Sequence, residues 1–138
     1  MNLLEAKNLY KSIGNINAVS DISISLNVGE VIGFLGPNGA GKSTTMKILT
    51  GFLEADSGSI EIKKIDLSKD PINAKSIIGY LPEGAPSYSD MTVKSFLYFV
   101  GKMRGLKDEL LEKRLEIMLK DINLTEVQNQ IIETLSKG

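Results

Sequence analysis

The feature that most constrains this chain is a glycine-rich segment, residues 36–43, which lies between an apolar run and a helical pattern. The segment is GPNGAGKS, and the apolar run before it, residues 31–35, is VIGFL. A short continuous apolar run is typical of a strand that is covered on both faces. The residues after the loop favour a helix that ends at Gly51. Strand, glycine loop and helix in this order predict a layered α/β fold.

The segment fits the phosphate-binding pattern G-x-x-x-x-G-K-[ST]. Glycine lets the backbone approach a ligand closely, so several N–H groups can converge on phosphate oxygens at the positive end of a helix. Lys42 is predicted to reach the β- and γ-phosphates, and Ser43 to bind Mg²⁺ through its hydroxyl. A purine triphosphate is the default ligand. The predicted nucleotide-binding residues of the loop are Gly36, Pro37, Asn38, Gly39, Ala40, Gly41, Lys42, Ser43, Thr44 and Thr45, of which Ser43, Thr44 and Thr45 contribute their amides.

Composition excludes several classes of protein. The chain has 138 residues, about one domain. It contains neither Cys nor His, which excludes a disulfide scaffold, a His-centred triad and nearly every structural zinc site. The net charge of −1 argues against a nucleic-acid partner. The longest apolar run, residues 96–100, is far shorter than the roughly 20 residues of a membrane span, and the N-terminus has no signal-peptide pattern. The chain is therefore predicted to be cytosolic.

Local patterns predict the other elements. Residues 22–28 alternate apolar and polar side chains, which indicates a half-buried antiparallel strand. Residues 77–81, IIGYL, resemble a second buried strand. Asp90 or Thr92 is expected to cap a helix that Gly105 ends, and residues 111–122 favour a further amphipathic helix.

Five segments, taken in order, resemble the nucleotide-binding domain of ATP-binding cassette (ABC) transporters. They are NLYKSIG with AVSDISISLNVGE, GPNGAGKSTT, LTGFLEADSGSIEI, IGYLPE and TLSKG. The base-reading motif Asn-Lys-x-Asp of small GTPases is absent. IGYLPE resembles the family's Q-loop, in the form typical of exporter-type subunits, and TLSKG resembles the first half of the signature motif.

The resemblance implies an α/β fold with a partial P-loop NTPase core, an N-terminal antiparallel β subdomain and a helical subdomain. The β subdomain is expected at residues 1–30 and 58–66. The core is expected at residues 31–57 and 67–83, and the helical subdomain at residues 84–138.

The resemblance also implies roles for residues outside the loop. Glu83, where the family usually has Gln, would approach Mg²⁺ and the attacking water, so that Lys42 and Glu83 are the predicted catalytic residues and Ser43 and Glu83 the metal ligands. The signature residues would contact the γ-phosphate of ATP held by a second protomer in a head-to-tail homodimer. These residues are Leu135, Ser136, Lys137 and Gly138.

The adenine-binding residue is a departure from the family. An aromatic side chain often stands just before the glycine that is Gly14 here, and this chain has Ile13 at that position. Tyr10 is one substitute, although its position in a strand favours a packing role. The favoured hypothesis is aliphatic contact with adenine from Ile13 and Val19.

The chain ends inside the signature segment, and the family's Walker B pattern is not found. Its nearest candidate, residues 117–121, is interrupted by Lys120. The chain is thus expected to be the N-terminal part of an ATP-binding subunit that partners a transmembrane permease at the inner face of the cell membrane. Alternatives are a nucleotide-binding module without turnover and a soluble ABC-type ATPase acting on ribosomes or DNA. If the chain is the N-terminal part of such a subunit, strands 31–35 and 77–81 would lack neighbouring strands and leave apolar faces exposed.

Overall fold

The computed structural model of the chain describes residues 2–82, 84 and 88–136. It contains two compact units, Met1–Leu81 and Pro82–Gly138. The first is built on a β-sheet and the second on a pair of helices.

The sheet of the first unit has four antiparallel strands: β1 (Asn2–Ile13), β2 (Ile16–Asn27), β3 (Ser57–Ile62) and β4 (Ile65–Asp66). Their order across the sheet is β2-β1-β3-β4. The predicted alternation in β2 is confirmed, because its apolar side chains are half-buried while the serines between them are exposed. This pattern follows from the two-residue period of a strand, which sends alternate side chains to opposite faces.

Two helices complete the first unit. Helix α1 (Lys42–Leu49) follows the glycine-rich loop, and Gly51, with φ +70°, stands just beyond its end as predicted. Helix α2 (Pro71–Ser76) begins at Asp70, whose side chain accepts the N–H of Asn73. One buried cluster joins these helices to the sheet; its members are Ala6, Leu9, Val19, Ile48, Leu49, Ile60, Ile62 and Ala74.

The strands predicted at residues 31–35 and 77–81 are wrong, because both segments lack regular structure. A strand exists only where its N–H and C=O groups pair with a neighbour, and no described strand pairs with either segment. The expected exposure of their apolar side chains is confirmed only in part, because Phe34 and Ile78 pack partly buried against the cluster described above. Val31 is 94% exposed, Leu35 96% and Leu81 84%.

The second unit contains helices α3 (Val93–Met103) and α4 (Asp108–Asp121) and a 3₁₀ turn, Ile132–Thr134. Thr92 caps α3 by accepting the N–H of Ser95 at 3.2 Å. Gly105, with φ +77°, ends the helix as predicted. The helices approach closely at Gly101, where a Cβ would lie 2.2 Å from Cδ1 of Leu111.

The apolar side chains along one face of α3 are only partly buried. Phe96 and Leu97 are half-buried, whereas Met103 is 74% exposed. On α4 the buried residues recur every fourth position, at Leu111, Leu115 and Leu119, as the helical period requires. Among the described helices, none combines the length and the apolar character that crossing a bilayer demands.

Candidate nucleotide-binding site

The glycine-rich loop ends at Gly41, which stands at the N-cap of α1 with φ +80°. This is the left-handed region, which side chains disfavour. A Cβ on Gly41 would also lie 2.0 Å from the carbonyl oxygen of Ala18 in β2. Glycine is therefore required here twice, by the backbone angle and by the close approach of the sheet, and the loop is anchored against β2.

Thr45 fixes Gly41 from the helix side. Its N–H donates to the Gly41 carbonyl at 2.8 Å, and its hydroxyl donates to the same oxygen at 2.9 Å. The Thr45 residue is only 4% exposed. Its amide is thus committed to the helix, which differs from the expectation that the amides of Ser43, Thr44 and Thr45 all face a ligand.

The three amides before Thr45 remain available. Within the described part of the chain, the N–H groups of Lys42, Ser43 and Thr44 have no protein acceptor, and Gly41 offers no capping side chain. The first turn of α1 carries no acidic residue. These donors and the positive end of the helix dipole form an anion-binding group.

Lys42 adds a cation to the same loop. Its Nζ donates to the carbonyl oxygens of Gly36 at 2.7 Å and Pro37 at 2.6 Å, so the side chain folds back across the loop. Ser43 is exposed at the start of α1. Amides, an ammonium group and a hydroxyl are therefore gathered at one helix end.

This donor set fits a nucleoside triphosphate with Mg²⁺. Amide and ammonium groups suit phosphate oxygens, and Mg²⁺ binds through one or two protein oxygens together with phosphates and waters. No cluster of three or more acidic, His or Cys side chains capable of holding a metal occurs among the described residues. Ser43, whose side chain is exposed at the start of α1, is the loop residue predicted to bind the metal, and that role stays a prediction.

The β1–β2 turn carries the candidate base contacts. Ile13 is 53% exposed, whereas Val19 is 4% exposed and belongs to the core, so little of its surface is open to a ligand. Tyr10 is 43% exposed. Sequence reasoning missed Ile16, which is 70% exposed and pairs with Ile13 across the turn. The signal was present, because an apolar residue faced Ile13 across a Gly-Asn turn.

Asp56 holds the end of β1 beside this turn. Its carboxylate accepts Nζ of Lys11 at 2.6 Å and the N–H of Ser12 at 2.7 Å. The bond from Lys11 and the bond from the Ser12 amide lower the pKa of Asp56 below its usual value. The residue was also missed, because its partners lie more than 40 positions away in the sequence.

Other predicted site residues fall outside this arrangement. Glu83, Lys137 and Gly138 lie outside the described residues. In the second unit, Leu135 is half-buried and Ser136 is exposed, directly after the 3₁₀ turn. The roles predicted for these residues stay predictions.

Comparison with known proteins indicates a single family. The sequence profile of the family described as ABC transporter matches residues 19–138. The linearmycin resistance ATP-binding protein LnrL of Bacillus subtilis is 40% identical over 136 residues, which cover 99% of this chain and 44% of that protein. The lipopolysaccharide export system ATP-binding protein LptB of Haemophilus influenzae is 35% identical over 141 residues, covering 100% of this chain and 58% of that protein.

Solved structures confirm the predicted α/β fold. An ATP-binding subunit of an ABC transporter has a TM-score of 0.85 and 30% identity, covering 98% of this chain and 56% of that one. A nucleotide-free ATP-binding cassette has a TM-score of 0.74 and 28% identity, covering 99% and 60%. The chain spans about half the length of the relatives that it matches. It belongs to the ABC transporter family.

Proposed function

We propose that this chain forms the nucleotide-binding part of an ATP-binding subunit, which couples ATP binding and hydrolysis to export through a transmembrane partner. The observation that carries the proposal is the helix end at Gly41, where three unpaired amides and the Lys42 ammonium face one loop. Backbone donors of this kind bind the phosphates of a nucleotide without crowding them.

Each part of the loop has a role in this proposal. Residues 36–44 cradle the phosphates of ATP, and Thr45 supports them by fixing Gly41. Lys42 moves from the Gly36 and Pro37 carbonyls to the β- and γ-phosphates, where its charge stabilises the phosphoryl group during transfer. Ser43 holds Mg²⁺ through its hydroxyl. Ile13 contacts the base from the β1–β2 turn.

Hydrolysis and coupling involve residues beyond the loop. Glu83 would complete the Mg²⁺ site and orient the attacking water. The signature residues Leu135, Ser136, Lys137 and Gly138 contact ATP bound by a second protomer in a head-to-tail homodimer. The name of one relative refers to lipopolysaccharide export and that of another to linearmycin resistance, and both names are compatible with an exporter. The permease partner would hold the subunit at the cytoplasmic face of the membrane.

The binding step is tested by thermal unfolding with Mg-ATP. At a ligand concentration 100 times Kd, binding stabilises a folded protein by about 2.7 kcal/mol. Lys42→Ala is expected to abolish most of that stabilisation. Lys47→Ala is the matched control, because Lys47 is an exposed cation in the last turn of the same helix. If Mg-ATP stabilises Lys42→Ala as strongly as the wild type, the proposed site is wrong.

ATP binding without turnover is the second candidate function. It is favoured by the donor set of the loop, whose amides and Lys42 ammonium suit phosphates, because phosphoryl transfer needs a positioned water as well as a phosphate cradle. Release of inorganic phosphate separates the two functions. Binding without release supports the second, and release that depends on Lys42 supports the first.

A further inference from the structure

Asp56 ties the start of β3 to the end of β1. Its N–H donates to the carbonyl of Tyr10 at 2.9 Å, and its carboxylate accepts the Ser12 N–H at 2.7 Å and Nζ of Lys11 at 2.6 Å. These three partners directly precede Ile13. One residue distant in sequence thus fixes the chain up to the β1–β2 turn.

The turn is linked to the phosphate-binding loop through β2. Ile13 pairs with Ile16 at the start of β2. Two residues further along, the carbonyl of Ala18 lies against Gly41. At about 3.3 Å of rise per residue, Ile16 lies roughly 7 Å along the strand from that contact. The position of the turn therefore sets where Ile13 stands relative to the loop.

We propose that Asp56 is a positioning residue for the nucleoside part of bound ATP. It holds the β1–β2 turn so that Ile13 meets the base while the loop holds the phosphates. The inference rests on the proposed function, because it requires that the loop bind a triphosphate. Asp56 acts through Ser12 and Lys11 and does not touch the nucleotide.

The chemistry of this contact calls for a carboxylate. One oxygen accepts a backbone N–H and the other accepts an ammonium group, whereas an amide has a single acceptor oxygen and no charge. The Lys11 side chain is 17% exposed and the Asp56 side chain 46% exposed, so the ion pair is partly open to solvent and its hydrogen bonds carry most of the restraint. Asp56→Asn should thus retain part of the restraint and Asp56→Ala none of it.

The test compares two ligands, Mg-ATP and Mg-tripolyphosphate, by titration calorimetry on the 138-residue chain. Both ligands occupy the phosphate cradle, and only ATP has a base. Asp56→Ala is expected to weaken ATP binding about fivefold, the factor that matches one lost hydrogen bond, and to leave tripolyphosphate binding unchanged. Asp56→Asn should have an affinity for ATP between those of the wild type and Asp56→Ala. Glu61→Ala, an exposed carboxylate on β3 that pairs with Glu5 rather than with the end of β1, is the control and should bind both ligands like the wild type.

The outcomes separate this inference from the proposed function. An equal loss for both ligands in Asp56→Ala, or no loss for either, overturns the positioning role while the loop retains its assignment. Circular dichroism verifies that the variant is folded, and if Asp56→Ala unfolds, the ATP-to-tripolyphosphate ratio of Asp56→Asn decides. A wild-type chain that binds neither ligand overturns the proposed function and this inference together.

Discussion

Replacing Gly41 with alanine tests the claim that the loop is anchored by a close approach to β2. A left-handed backbone angle costs a residue with a side chain about 1–2 kcal/mol. The new Cβ would also lie 2.0 Å from the Ala18 carbonyl oxygen, where ordinary contacts begin near 3.4 Å. The loop and the strand would have to separate by more than an ångström, and overpacking of this kind costs about 1–3 kcal/mol. Gly41→Ala should therefore lower the free energy of unfolding by about 2–5 kcal/mol.

The control for this prediction is Gly39→Ala in the same loop. Gly39 also has a left-handed φ, +84°, but a Cβ there would meet nothing within 4 Å. Its cost should be the backbone term alone, about 1–2 kcal/mol. The measurement is urea unfolding without nucleotide, followed by circular dichroism, with the slope m checked for each variant. Equal losses in the two variants would refute the argument that contact with β2 anchors the loop.

Three further perturbations address other parts of the chain. The hydrogen bond from the Ser68 hydroxyl, with further bonds from Lys69 and the Ser68 amide, lowers the pKa of Asp66 to about 2. This pKa lies below the ordinary value of 3.8. The stabilisation from the ionised Asp66 carboxylate is therefore present above about pH 4 and is lost as the pH falls through about 2. Asp66→Asn should remove that part of the pH dependence of the unfolding midpoint. Overpacking against Leu111 costs about 1–3 kcal/mol, and the better helix propensity of alanine offsets about 1 kcal/mol of this. Gly101→Ala should therefore destabilise the helix pair by up to about 2 kcal/mol in chemical unfolding, and a Leu111→Ala background should relieve part of this loss. Glu83→Gln should retain ATP binding but weaken its dependence on Mg²⁺, because an amide is a poorer Mg²⁺ ligand than a carboxylate; an unchanged Mg²⁺ titration would contradict this.

Elements specified by local chemistry were predictable from the sequence. The alternation in β2 depends on the two-residue period of a strand, and the ends of α1 and α3 depend on Gly51 and Gly105, where left-handed backbone stops a helix. Thr92, one of two predicted caps, is confirmed by its bond to Ser95. These signals lie within a few residues of the structure that they specify.

Features that depend on distant partners were not predictable in the same way. The apolar run at 31–35 indicates a segment suited to burial, but whether it becomes a strand depends on a neighbour elsewhere in the chain. In the site, the glycine pattern predicted the loop, whereas the contact of Ala18 with Gly41 and the bonds of Asp56 join residues more than 20 positions apart. Neither the Ala18–Gly41 contact nor the Asp56 hydrogen bonds produce a periodic pattern in the sequence.

Both local sequence signals and contacts between distant residues determine the structure of the phosphate-binding loop. Its C-terminal end is fixed by Gly41, through the Thr45 bonds and the contact with Ala18. Its N-terminal end follows residues 31–35, and no described strand pairs with this segment. Leu35, the last residue of the segment, is 96% exposed. The hydrogen bonds from the Lys42 ammonium to the Gly36 and Pro37 carbonyls draw the first half of the loop towards the helix end. A phosphate that drew the Lys42 ammonium away from these carbonyls would break both bonds, so ligand binding would be coupled to the order of the first half of the loop through this side chain.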